Sequence, residues 1–153
     1  MRIEIRKLKV CEWASEETLC MTGEIHVDGK PVAYFDNDGR GGSTKIEPVE
    51  GVAWDKIYEV QDQIIKLDKS LASDSPREWL SALDLWLLEN AQQKIDQEAL
   101  KKELRKKIIW QGDNGKWYES KHTTHAQDQE KFKGKIVLNY MPFFDAVKIW
   151  QNI

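Results

Sequence analysis

Long apolar runs are missing from this sequence. No stretch approaches the ~20 residues that a bilayer-spanning helix requires, so a transmembrane helix is excluded. The first residues, Met1-Arg2-Ile3-Glu4-Ile5-Arg6, are charged throughout and do not read as a secretory leader. Two cysteines with no export signal point to a reducing cytoplasm. A dominant charge sign is lacking too. The 23 Lys and Arg against 26 Asp and Glu leave a net charge of -3. A general nucleic-acid coat protein needs a cationic surface to displace counterions, and a DNA mimic would be strongly acidic. Internal repeats and low-complexity tracts are absent. So are the signatures of common catalysis. No nucleophile elbow of the Gly-x-Ser-x-Gly type occurs, and no Walker A loop of the Gly-x-x-x-x-Gly-Lys-Ser/Thr type. The reading is therefore of a protein that is not an enzyme and holds no cofactor and no metal.

What is present is an ordinary globular mix, 41% hydrophobic and 32% charged, in 153 residues. It carries seven tryptophans, whose large apolar area loads a core or an interface. The pattern predicts an α+β fold in one domain, 1–153. An N-terminal antiparallel β-meander with a glycine-rich loop covers 1–50 and packs on amphipathic helices. A helical segment covers 52–107, and a small ββαβα unit covers 107–153.

The alternation of apolar residues sets the meander. Ile3 and Ile5, then Leu8 and Val10, change parity, which predicts a bulge near Arg6-Lys7. A turn at Ala14-Ser15-Glu16-Glu17 pairs Val10 with Met21 and Leu8 with Gly23. The same register sets Cys11 opposite Cys20 on the other face, within reach of a disulfide or a two-thiol metal site. Two reduced, small apolar side chains are the simpler reading. A second hairpin turns at Asp28-Gly29 or Gly29-Lys30, and a short strand from Ser43 to Glu47 follows the glycine loop.

Helical spacing then takes over. Ile57, Val60, Ile64, Leu67 and Leu71 form one face over 54–71. Ser75-Pro76-Arg77-Glu78 reads as a helix start with a capping box. Trp79, Leu80, Leu83, Trp86 and Leu87 follow as a stripe, widened by Leu85 and Leu88 into burial on more than one side. Either one helix runs from 76 to 107, or Asp96 caps a second one. Strands at Lys107–Trp110 and Lys116–Glu119 flank Gly112-Asp113-Asn114-Gly115, a hairpin. Thr124-His125-Ala126-Gln127 is a capping box for a helix stopping near Gly134. Ile136-Val137-Leu138 is a short buried strand. Pro142 opens a last helix with Phe144, Val147 and Trp150 on one side.

Asn37-Asp38-Gly39-Arg40-Gly41-Gly42 concentrates three glycines directly after the strand-like Val32-Ala33-Tyr34-Phe35. Successive amides in such a loop can form an anion-binding nest, with Arg40 and Lys45 adding charge. Thr44 stands where a dinucleotide loop has its third glycine. The plain reading is a turn or bulge ending an edge strand. His122, His125 and Asp128 have the spacing of a weak metal site, but a polar helix start explains them. Lys101, Lys102, Arg105, Lys106 and Lys107 form a basic helix end that suits the helix dipole. They could also meet phosphates, although Glu98 and Glu103 dilute the field.

Ser15-Glu16-Glu17-Thr18, then Asp28-Gly29-Lys30, then Asn37-Asp38-Gly39-Arg40-Gly41-Gly42 resemble a family of small uncharacterised proteins from bacteriophages and prophages. Glu103-Leu104-Arg105-Lys106-Lys107, Gly115-Lys116-Trp117-Tyr118, Lys121-x-Thr123 and Lys135-Ile136-Val137-Leu138-Asn139 extend the likeness over most of 1–139. The residues after Asn139 depart from it, and the Trp79 and Trp86 region varies. The resemblance implies a mobile genetic element inside a bacterial cell, and no catalytic residue. By analogy with short accessory proteins of that origin, it implies a non-enzymatic, anti-CRISPR-like inhibitor of a host defence nuclease. The partner is then a host or phage protein, gripped by exposed aromatic and cationic side chains. Trp13, Arg40, Phe143, Phe144 and Trp150 are the candidates. The alternative is a nucleotide or oligonucleotide binder using Asn37, Asp38, Gly39, Arg40, Gly41, Gly42 and Lys45 as a phosphate nest, assisted by the basic cluster at 101–107. Neither reading involves a membrane.

Overall fold

A computed structural model describes residues 1–153. It is α+β, with a four-stranded antiparallel sheet followed by helices and a small second sheet. Where the sequence pattern suggests one domain in three segments, the contacts divide the chain into two compact units, Met1–Gln92 and Gln93–Ile153. The boundary falls inside a helix.

The first unit opens with strands β1 (Ile3–Val10), β2 (Cys20–Val27), β3 (Lys30–Asp38) and β4 (Lys45–Pro48), paired in that order. The predicted bulge is present. Arg6 pairs with Glu24 and Lys9 with Thr22, so Lys7 and Leu8 together oppose Gly23. Lys7 absorbs the kink with φ 55°. The parity change returns Leu8 and Val10 to the core already met by Ile3 and Ile5. Val27 pairs with Lys30, leaving the two-residue turn Asp28-Gly29 with both φ values positive, 51° and 83°. That is the turn type whose twist matches a hairpin.

Helix α1 (Trp54–Leu67) buries Ile57, Val60, Gln61 and Ile64. Leu67 was expected on this face but is 75% exposed. The helix stops there because the Asp68 carboxylate takes the Ser70 amide and hydroxyl, at 3.0 and 2.6 Å. The 3-10 turn this sets up, Lys69–Leu71, carries Leu71 back into the core. The Ser75 capping box does not form either. A 3-10 turn occupies Arg77–Trp79, and Leu80 adopts a left-handed conformation, φ 54°. Helix α2 therefore starts at Ser81 and runs unbroken to Lys106. Ala82, Leu83, Leu87 and Ala91 are buried, and sealing each leucine contributes roughly 2 kcal/mol. The expected second buried side forms only in part: Leu88 is half-buried against the core, whereas Leu85 is exposed, and Trp79 of the expected stripe is 68% exposed.

In the second unit, α2 passes without a loop into β5 (Lys107–Gln111), followed by β6 (Trp117–Lys121), α3 (His125–Lys131), β7 (Ile136–Val137) and α4 (Phe143–Trp150). This is the expected ββαβα order, with the sheet arranged β6-β5-β7. Leu100, Ile109, Leu138, Ala146 and Val147 form one core cluster. Ile108, Phe132 and Val137 form another, where the Trp110 ring lies 5.5 Å from Phe132 and stacks on Tyr118 at 5.1 Å. Two apolar expectations fail here. Ile136 is exposed, and Phe144 faces solvent on α4 while Ala146 and Val147 turn inward. The Lys148 ammonium lies 4.3 Å from the Phe144 ring centroid, one helical turn on.

Candidate functional site: the Trp13 turn and the glycine loop

Two loops meet at one end of the first sheet. The chain leaves β1 through Cys11, makes a 3-10 turn at Glu12–Ala14 and re-enters at Cys20. The Cys11 amide donates to the Cys20 carbonyl at 2.9 Å. The return bond is lengthened by a hydroxyl: the Cys20 amide donates to Ser15 Oγ, which donates to the Cys11 carbonyl, both at 2.9 Å. Ser15 thereby holds the ladder open by one side chain, and the turn projects from it.

The glycine loop closes onto this turn. The Gly39 carbonyl accepts the amides of Glu16 and Glu17 at 2.9 Å and of Thr18 at 3.3 Å. Successive amides do form a nest, but they belong to the Trp13 turn, and a backbone carbonyl fills them. The approach is too close for a side chain. Gly39 has φ 82°, and a Cβ there would lie 2.3 Å from the Ala14 carbonyl oxygen.

Asn37, 4% exposed, organises the loop from below. Its Oδ1 accepts the Thr18 hydroxyl at 2.7 Å and the Gly39 amide at 3.0 Å. Its Nδ2 donates to the Gly42 carbonyl and to Thr44 Oγ1. The Arg40 amide is taken by Asp38 Oδ1 at 3.0 Å and the Gly41 amide by Thr18 Oγ1 at 3.4 Å. Each amide from 39 to 41 thus has an acceptor inside the protein. An incoming phosphate would have to displace these oxygens, and Lys45 already pairs with Glu47 at 3.2 Å. Nothing in this geometry favours the phosphate-nest alternative.

The result is a stiff platform bearing an 88% exposed Trp13 and an exposed Arg40. A backbone already hydrogen-bonded in this way lowers the cost of ordering the loop on contact, and Trp and Arg are enriched among the residues that dominate interfaces.

No protein-family model, no curated protein and no solved structure matches this chain.

Trp13 and Arg40 therefore stand on loops joined by hydrogen bonds, while the other candidates lie in the second unit. There Phe143 and Trp150 are half-buried against its core, and Phe144 is exposed. Sequence reasoning missed Trp79 and Leu85, which with Leu88, Ser43, Ser81 and Asp84 line a groove of about 430 Å³ beside the loop exit. The Thr44 amide donates to Asp84 Oδ1 at 3.2 Å and ties that exit to α2. A smaller cleft of about 210 Å³ holds the Asp62–Arg77 pair and Ser73, Ser75 and Ser81, with no imidazole or thiol in its lining. Cys11 and Cys20 are free thiols. Burial, then Cys11, Asp36 and Asp38, push the Cys20 thiol up and disfavour its thiolate.

The His122–His125 segment is a helix start. Thr124 and Gln127 form the capping box. Buried Asp128 reaches back to Thr123 Oγ1 at 2.6 Å and its amide at 3.1 Å. His122 donates through Nε2 to the Leu104 carbonyl at 2.9 Å and lies 3.3 Å from Asp128. His125 instead sits edge-on to Tyr140. The Leu104 carbonyl, despite some desolvation and with Asp128 assisting, holds the His122 imidazole above its ordinary pKa. Thr123 and then His122 hold Asp128 below the usual carboxylate range. His122 therefore stabilises the second unit fully below the ordinary imidazole pKa and loses that contribution as pH rises through the raised value. Asp128 contributes above the ordinary carboxylate pKa and fades as pH falls. Thermal melts of the wild type and His122→Gln should differ most at pH 5–6 and converge by pH 9. A constant difference would refute the charged state.

Proposed function

We propose that this chain is a non-enzymatic protein-binding accessory protein of a phage or prophage, working in the bacterial cytoplasm as an anti-CRISPR-like inhibitor of a host defence nuclease. The observation that carries the reading is Trp13, almost fully exposed on a hydrogen-bonded 3-10 turn whose following residues, 16–18, donate to the Gly39 carbonyl. Tryptophan is the side chain most enriched among the residues that dominate protein interfaces, and this one presents nearly its whole indole to solvent. Arg40 stands on the partner loop and supplies a planar, five-donor cation of the kind enriched at interface centres.

The test is affinity capture from host lysate with the wild type, Trp13→Ala and Arg40→Ala, followed by titration of the captured partner. Trp13→Ala should weaken binding about 30-fold, the loss of one dominant contact of ~2 kcal/mol. Arg40→Ala should weaken it about tenfold on the same scale. Neither should lower the melting temperature, since both side chains face water. Binding within twofold of wild type in both variants would remove the reading.

A further inference from the structure

The two units carry opposite charge. Residues 1–92 hold 11 Lys and Arg against 18 Asp and Glu, a net of -7, and residues 93–153 hold 12 against 8, a net of +4. The overall -3 conceals this split, and an asymmetry of this kind marks a chain with a polyanion partner for its basic part.

The positive charge of the second unit is concentrated at the C-terminal turns of α2. Lys101, Lys102, Arg105 and Lys106 are all exposed. At about 100° per residue they occupy an arc of roughly 140°, in two rows whose members stand about 6 Å apart along the axis. The acids that dilute this run in the sequence are spent elsewhere. Glu98 faces Lys94 at 4.0 Å, and Glu103 and Glu119 both close on the Lys107 ammonium at 2.6 Å. None of the four cations has a carboxylate within ion-pair distance; the Lys101 ammonium lies only over the Phe143 ring, at 5.2 Å. Lys121, exposed on β6, stands opposite Lys107 in register and adds a further cation at this end of the unit.

The helix dipole accounts for some basic residues in a last turn. It does not require four in six positions, none of them in a salt bridge, while Lys107 alone collects two carboxylates. We propose that this face of α2 binds the phosphodiester backbone of nucleic acid, without sequence selection. The chemistry of the face decides among polyanions. Leu100 is buried, Leu104 packs on the same core and the Phe143 ring beneath Lys101 is half-buried on it, so no exposed apolar side chain stands among the four cations of α2. A membrane-surface helix needs such a wedge, and a protein interface needs an apolar anchor at its centre. Phosphate contacts need neither. The proposal uses other residues than the Trp13 platform and stands or falls separately from it.

The probe is a fluorescein-labelled 20-nucleotide oligo-dT, with a 20-base-pair duplex as second arm, read by fluorescence anisotropy with the full chain. Four phosphate contacts predict that affinity for the single strand falls about 50-fold between 50 and 200 mM salt, and more for the duplex. Each single change to Gln at 101, 102, 105 or 106 should reduce the salt slope by about one contact. The quadruple change should abolish binding at 50 mM salt while leaving the circular dichroism spectrum intact. Lys131→Gln with Lys133→Gln should change affinity less than twofold. No binding at 50 mM salt, undiminished binding by the quadruple variant, or binding to phosphatidylserine vesicles but to neither oligonucleotide would each overturn the proposal.

Discussion

Gly39→Ala should lower the unfolding free energy by about 4 kcal/mol, far more than replacement of its neighbour Gly42. A side chain at φ 82° costs ~1–2 kcal/mol in backbone strain alone. The new methyl would also stand 2.3 Å from the Ala14 carbonyl oxygen, and backbone cannot yield as a flexible side chain can. Relieving the clash means drawing Gly39 away from the Trp13 turn, which lengthens the three hydrogen bonds that its carbonyl accepts from residues 16–18. Each is worth about 1 kcal/mol net. Gly42 has a similar φ, 87°, but a Cβ there meets nothing within 4 Å. Gly42→Ala should therefore cost only the conformational part, ~1–2 kcal/mol. Urea denaturation of the three proteins, followed by circular dichroism, measures the difference. Equal losses would mean that the two loops separate freely and that Trp13 does not sit on a rigid platform.

The contrast between these two glycines marks how far the sequence could be read. A cluster of three glycines predicts unusual backbone, and all three have positive φ. It does not say which of them another segment presses against. That depends on Thr18, whose hydroxyl bonds across the gap between the loops, and on Ser15, whose hydroxyl shapes the Trp13 turn, and small polar residues leave no periodic trace. The strand register was legible because alternation is local: Val10 meets Met21 and the bulge lies where parity changes. The start of α2 was not, because two incompatible signals overlap there. Ser75, Pro76 and Glu78 have cap spacing, yet Leu80 turns left-handed and forces a fresh start at Ser81. That shift rotates Trp79 out of the helical stripe and leaves it in water beside Leu85. The α4 face was misread for a related reason. Phe144 and Val147 are three apart, but the short helix buries Ala146 and Val147, with Phe143 and Trp150 packed at its ends. Composition carried least about charge, since a near-neutral total hid an acidic unit and a basic one.

Asn139→Ala should cost about 3 kcal/mol, and Asn139→Asp should cost at least as much at neutral pH but less in acid. Helix α2 ends at Lys106 and β5 begins at Lys107, so no loop absorbs the change of backbone direction. The carbonyls near a helix end have no partner within the helix. Here Asn139 supplies one from the 3-10 turn Leu138–Tyr140, which follows β7 and packs beside β5. Its Nδ2 donates to the Leu104 and Lys107 carbonyls at 3.1 and 3.0 Å, and its Oδ1 accepts the Ile109 amide at 3.0 Å. One side chain thereby stitches the last helical turn to the first strand residues. Truncation removes three bonds of about 1 kcal/mol each. The Asp substitution preserves the shape and the Ile109 acceptor but turns an oxygen toward two carbonyls. Repulsion there raises the pKa of the new carboxyl on folding, so protonation favours the folded state and restores one donor. Relative to wild type, the Asp variant should gain stability as pH drops from 7 to 5, whereas the Ala variant should follow wild type over that range. Urea midpoints at both pH values test this. A loss under ~0.5 kcal/mol for Asn139→Ala would mean that β5–β6 pairing fixes the junction, with His122 keeping the Leu104 carbonyl and water satisfying that of Lys107. The basic turns of α2 end at this clasp, so a loose junction would also splay Arg105 and Lys106. The anisotropy assay above would then report Asn139→Ala as a weakened binder although its cations are intact.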